Sequence, residues 1–191
     1  MATTANDIIQ KHRLTVEEYH RMGEAGILGP QDRVELIEGE IIDISPIGSN
    51  HAGTVNYLNQ VLFAALQENA IISPQNPIIL NDRNEPEPDI VLLKPRKDFY
   101  RQSHPTPNDV LLIIEVADTS LRYDSEIKIP LYARYGIPEV WIVDLENNQL
   151  TKYLSPNDDH YESSNVVNDL SQISVQELPE LKINLANLFE K

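Results

Sequence analysis

The period of the apolar positions changes several times along the chain, and each change marks an element. Between residues 52 and 68, Val55, Leu58, Leu62, Ala65 and Leu66 recur at helical spacing, with Ser49 or Asn50 placed to cap the start. Thr15 followed by Glu18 has the form of a capping box, and it opens a short helix to about residue 24. A third helix is expected over residues 124–135, closed by Gly136 with Pro138 just beyond. Pro130 lies inside it and lacks a backbone N–H, so a kink or a late start is expected there. Residues 33–37 and 40–44 flank Glu38-Gly39 as two strands flank a tight turn. Further short apolar runs at 71–73, 78–80, 90–93, 110–117, 140–144 and 150–154 read as strands, separated by segments rich in Pro, Asn and Asp. The tail suggests a last strand near 181–185 and a turn at Leu188-Phe189, and Trp141 reads as a core residue. Strands and helices mix without strict alternation, so the class is α+β, or mixed α/β, around one central sheet.

Two of the apolar runs carry an acid. Asp89 heads Pro88-Asp89-Ile90-Val91-Leu92-Leu93, and Glu115 lies inside Leu111-Leu112-Ile113-Ile114-Glu115-Val116-Ala117. An ionised carboxylate taken out of water costs several kcal/mol, about the energy of a whole buried side chain, unless it is paired, hydrogen-bonded or bound to a cation. A shared hard cation would account for both. Strand alternation puts Leu111, Ile113, Glu115 and Ala117 on one face. On the following helix Asp124, Lys128, Tyr132 and Tyr135 fall in one sector, beside an apolar stripe of Ile127, Leu131 and Tyr135. Lys128 thus leaves the helix near its buried edge, where an amine can reach towards Glu115 and stabilise charge in a phosphoryl-transfer transition state.

Each residue also has a plain structural reading. Glu115 could be a buried acid paired with Lys128, Asp89 a turn acid at a strand start, and Glu35 an acid alternating on a half-exposed hairpin. Lys128 could form a solvated pair with Asp124, worth only about 0.3–0.5 kcal/mol. His51 reads as a surface residue near a helix start, and Tyr132 and Tyr135 as aromatics at the core edge.

Composition narrows the chemistry. The chain has 191 residues, enough for one domain with a real core, and is read as a flexible segment 1–13 followed by a single domain 14–191. It has no cysteine, which excludes disulfides and thiolate metal sites and leaves oxygen and imidazole ligands. Fifteen basic against thirty acidic side chains give a net charge of -15, which argues against broad, phosphate-driven nucleic-acid binding. A polyanion must then meet a local patch, and the one basic cluster is Lys94, Arg96, Lys97 and Arg101. No signal-peptide pattern and no apolar run near the roughly 20 residues needed to span a bilayer is present, which places the protein in the cytoplasm.

The residues together resemble a known family. Glu35 in Val34-Glu35-Leu36-Ile37-Glu38-Gly39-Glu40, Pro88-Asp89, Glu115-Val116-Ala117, then Asp124 and Lys128 ahead of Tyr132-Ala133-Arg134-Tyr135-Gly136-Ile137-Pro138-Glu139-Val140-Trp141-Ile142-Val143-Asp144 are similar to the Uma family of proteins described as restriction endonucleases. That family lies in the PD-(D/E)xK nuclease superfamily, and the similarity covers about residues 14–155. The resemblance implies a restriction-endonuclease-like core, a mixed sheet flanked by helices, cutting DNA phosphodiesters with Mg2+ or Mn2+. It implies Asp89, Glu115 and the Val116 carbonyl as metal ligands and Glu35 as an additional acid. One departure stands out, because Ala117 occupies the place of the superfamily's strand lysine; Lys128 is its expected substitute. The acidic balance implies DNA bound at one patch, in a homodimer, or delivered by a partner. A non-catalytic interaction module with this fold, and a metal-dependent hydrolase of a small phosphoester, fit the same residues.

Overall fold

The computed structural model describes residues 11–29 and 31–190. The expected flexible segment falls largely outside the described residues. The chain divides into two compact units, one comprising residues up to Ser45 with Ile79–Pro86, the other Pro46–Ile78 with the remainder from Glu87.

In the first unit, helix α1 (Val16–Glu24) starts at Thr15, whose hydroxyl accepts the Glu18 N–H while the Glu18 carboxylate accepts the Thr15 N–H, the expected capping box. Strands β1 (Val34–Ile37) and β2 (Glu40–Asp43) pair antiparallel across Glu38-Gly39. Both turn residues have positive φ, 51° and 72°, the twist that joins two strands through a two-residue loop. A Cβ at residue 39 would lie 2.8 Å from Arg13 Cβ and 2.9 Å from the Leu14 carbonyl oxygen. Gly39→Ala is therefore expected to destabilise the protein by about 1–3 kcal/mol, read as a lower urea midpoint at unchanged slope.

The segment 78–80 is not a strand. The Leu80 N–H bonds the Asn84 carbonyl at 2.9 Å and the Asn81 side chain accepts the Arg83 N–H, so the backbone is consumed by a turn. Ile78 and Leu80 are buried without joining a ladder.

The second unit is built on a six-stranded sheet in the order β3-β4-β5-β6-β7-β8: Ile71–Pro74, Ile90–Leu93, Val110–Ala117, Glu139–Asp144, Gln149–Asn157 and His160–Val166. Only β5 and β6 run parallel, so the sheet is mixed. Helix α2 (Ser49–Leu66) begins earlier than its apolar period suggests, with Gly48 as N-cap and Ser49 and Asn50 inside the first turn. It lays Val55, Leu58, Leu62 and Leu66 on Ile90, Leu92, Leu112, Ile114, Val116, Trp141 and Val143, and the ribbon of β9 (Ile173–Val175) and β10 (Leu178–Ile183) shares this core. The ribbon and β8 carry little periodic signal, because β8 is mostly exposed and polar.

The opposite face receives the third helical region, which starts at residue 121 rather than 124. It comprises α3 (Leu121–Tyr123), a π-helical turn Asp124–Lys128 and α4 (Ile129–Arg134). The Ile129 N–H reaches back five residues to the Asp124 carbonyl, and Pro130, with no N–H to give, follows directly. The wider turn shifts the helical register. Ile127, expected in the packing stripe, is 44% exposed, whereas Asp124 and Lys128 are 4% and 6% exposed. The helix ends as its sequence predicts: Gly136 has φ 72°, its N–H bonds the Ala133 carbonyl, and the Ile137 N–H bonds the Tyr132 carbonyl.

Candidate functional site

In the second unit, β4 and β5 pair Ile90 with Ile114, so Asp89 and Glu115 fall one residue further along, across from each other. Gln75 N–H holds the Asp89 carbonyl at 3.0 Å, and the Asp89 N–H points at Glu115 Oε2 at 3.4 Å. Asp89 Oδ2 accepts the Val116 N–H at 2.8 Å and lies 3.1 Å from His51 Nε2. Glu115 Oε1 accepts the Tyr132 hydroxyl at 2.5 Å and the Lys128 ammonium at 3.2 Å. Asp124 accepts the Ser120 hydroxyl at 2.6 Å. The Lys128 ammonium also lies 5.9 Å from the Tyr123 ring centroid.

Electrostatics set Glu115 apart. Burial raises its pKa, Lys128 opposes the rise, and the negative charges of Asp124 and Asp89 add to it, leaving the carboxyl pushed up to about 8. Lys128 reaches it from a buried position, 6% exposed, rather than from the solvated surface.

The structure therefore brings Asp89, Glu115, Val116 and Lys128 together. Glu35 lies on β1 in the first unit and is 2% exposed. The basic residues Lys94, Arg96, Lys97 and Arg101 follow the far end of β4 from Asp89, about 15 Å away at strand spacing. Arg96 is engaged by Asp98 at 2.6 Å, and Lys94 by the Asn108 carbonyl at 2.7 Å.

Two residues read as peripheral join the site. His51, expected on the surface, has a side chain only 14% exposed against Asp89. Its position inside the first turn of α2 depends on where that helix begins, which the apolar period does not show. Tyr132 is fully buried and bonded to Glu115. Its four-residue spacing from Lys128 on one helix was the available signal.

A divalent cation is the group this family of folds implies. Among the described residues no three His, Cys, Asp or Glu side chains gather into a ready cage. The donors nevertheless suit magnesium, which takes one or two carboxylates and keeps several waters. Two facing carboxylates with a third acid nearby and a single lysine also leave a local excess of negative charge. The residues present fit the cation.

Comparison with known proteins bears on the fold and the family. No curated protein matches the chain. A crystal structure described as a "putative nuclease belonging to DUF820" from Anabaena variabilis ATCC 29413 superposes with TM-score 0.70 at 17% identity, covering 92% of this chain and 97% of that one. At that identity the likeness is one of fold, a central mixed sheet flanked by helices. Among the described residues no helix is long and apolar enough to cross a membrane. The Uma2 family model, described as "Putative restriction endonuclease", matches residues 16–186. A match running from the first helix past the last strand spans both units, and the chain belongs to the Uma2 family of PD-(D/E)xK-like nucleases.

Proposed function

We propose that the second unit carries a divalent-cation-dependent site that hydrolyses phosphodiester bonds in DNA. The observation that carries this reading is the facing pair Asp89 and Glu115, one of them deeply buried beside further negative charge. Asp89, Glu115 and the Val116 carbonyl would hold Mg2+, with Mn2+ as an alternative. When bound, the cation supplies neutralisation of the charge that develops on the phosphate.

The remaining work falls to the protein's own groups. His51 and the Val116 N–H fix Asp89 through Oδ2, leaving Oδ1 free of these two bonds. Tyr132 fixes Glu115 through Oε1. Lys128 sets a positive charge at 3.2 Å from the same oxygen, in a buried place where it stabilises an anionic transition state more strongly than in water. This assigns Lys128 the duty of the strand lysine replaced by Ala117. A cytoplasmic homodimer working on DNA completes the reading.

Titration calorimetry with Mg2+ and Mn2+ tests the site. Wild type is expected to bind, and Asp89→Asn, which keeps the shape but loses the charge, to bind at least about tenfold more weakly. Equal or absent binding in both would make the acids structural and favour a non-catalytic module with this fold.

A further inference from the structure

Residues 94–106 form a loop of unusual composition for so acidic a chain. Lys94, Arg96, Lys97 and Arg101 stand against Asp98 alone. Most of the loop is tied down. Arg96 makes two bonds to Asp98, at 2.6 and 3.1 Å, and a third to the Ser103 carbonyl at 3.2 Å. Its guanidinium carbon lies 3.8 Å from the Tyr100 ring centroid, and the Tyr100 hydroxyl bonds the Lys94 carbonyl at 2.9 Å. The Phe99 N–H closes on the Arg96 carbonyl at 3.0 Å and the Arg101 N–H on the Asp98 carbonyl at 3.1 Å.

Against this frame Phe99 is displayed rather than packed. Its side chain is 64% exposed, and both it and Tyr100 hold a left-handed backbone, φ 52° and 58°. Bulky residues avoid that conformation, and it persists only where the surroundings impose it. Lys97 and Arg101, on either side, have no carboxylate partner among the described residues. An aromatic side chain displayed to water between two cations matches the chemistry of a nucleic-acid strand, whose bases stack and whose phosphates attract. The cations argue for a polyanion rather than an apolar protein partner.

We infer that this loop is a binding site for single-stranded DNA, in which Phe99 stacks on an unpaired base and Lys97 and Arg101 meet flanking phosphates. The choice of DNA rests on the nuclease reading. The loop departs from the end of β4 opposite Asp89, a strand length of about 15 Å that corresponds to only a few nucleotides. Specificity at this contact is for unstacked structure rather than for sequence, because every base offers a π-face.

The test is fluorescence anisotropy of a labelled single-stranded oligonucleotide and of the same sequence as a duplex, with the full chain in EDTA at low salt. Without a cation it reads binding alone, so loss of the cation site and loss of this contact are separable. Wild type is expected to prefer the single strand. Phe99→Ala should weaken that binding about tenfold or more with little change in salt dependence, and Phe99→Trp should preserve it. Lys97→Ala with Arg101→Ala should lower the slope of log affinity against log salt by about 1.4. Phe99→Asn guards against misfolding, since Asn tolerates the left-handed backbone better than Phe; it should fold at least as well and still lose affinity. A Phe99→Ala protein that binds as wild type does, an equal loss for duplex, or a wild type that binds neither form would overturn the inference.

Discussion

Glu115→Gln is expected to lower the proposed phosphodiester cleavage about a thousandfold or more while changing stability at pH 7 in EDTA by less than about 1 kcal/mol. The two effects separate because of where the carboxyl sits. Burial and the neighbouring acids hold it protonated well above the usual carboxylate range, despite Lys128. A neutral amide of the same shape therefore resembles the metal-free folded state, with Oε1 still available to Tyr132 and Lys128. It cannot supply the charge that a cation requires. An acid with a raised folded pKa binds its proton more tightly when folded than when unfolded. The Glu115 contribution to metal-free stability is then full below about pH 4.5 and declines as pH rises from there towards 8, a component of the pH dependence that the Gln variant should lack. Glu115→Ala should lose activity as well but differ in stability, falling by about 3–5 kcal/mol, because the Lys128 ammonium and Tyr132 hydroxyl lose this acceptor. Plasmid cleavage in Mg2+ or Mn2+, with urea unfolding across pH in EDTA, checks all of this. A Glu115→Gln enzyme as fast as wild type would remove Glu115 from the cation site.

Glu139→Ala is expected to cost a comparable amount, about 3–5 kcal/mol, for a different reason. Glu139 is fully buried, yet it is completely served. Oε1 takes the Trp141 indole N–H at 2.6 Å and the Lys152 ammonium at 2.8 Å, and Oε2 takes the Gln176 N–H at 2.6 Å. Lys152 also donates to the Ser174 carbonyl at 2.8 Å. One carboxylate thus ties β6, β7 and the β9–β10 ribbon together, and its removal leaves three donors without it, the buried Trp141 indole among them. Glu139→Gln keeps the shape and an acceptor oxygen, so a smaller loss of about 1–3 kcal/mol is expected. Urea unfolding of both variants decides the point, and a loss below 1 kcal/mol for Glu139→Ala would show that water or neighbouring groups replace the carboxylate.

Glu115 and Glu139 show how a buried acid can be judged. Both stand in apolar runs and both contact a lysine. Both have donors at each oxygen, but Glu115 shares its surroundings with the charges of Asp124 and Asp89. The costly, charge-frustrated acid is the better candidate for chemistry, since stability alone gives little reason to keep it.

Local rules were enough for the capping box at Thr15, the hairpin turn at Glu38-Gly39, the Gly136 helix stop, the strand 110–117 and the apolar face of α2. All depend on neighbours within a few residues. Strand alternation also placed Glu115 on a definite face, and family resemblance supplied the fold and the pairing of Asp89 with Glu115. Sequence period placed Lys128 near the buried helix edge but did not reveal the π-helical turn, because an i to i+5 bond changes the register without altering composition; within that turn Ile127, expected in the packing stripe, faces outward. Nor did it show that His51 belongs beside Asp89, or that Phe99 is held in the open. Those placements depend on strand register, on where a helix begins and on backbone conformation imposed by distant bonds, which only the folded chain determines.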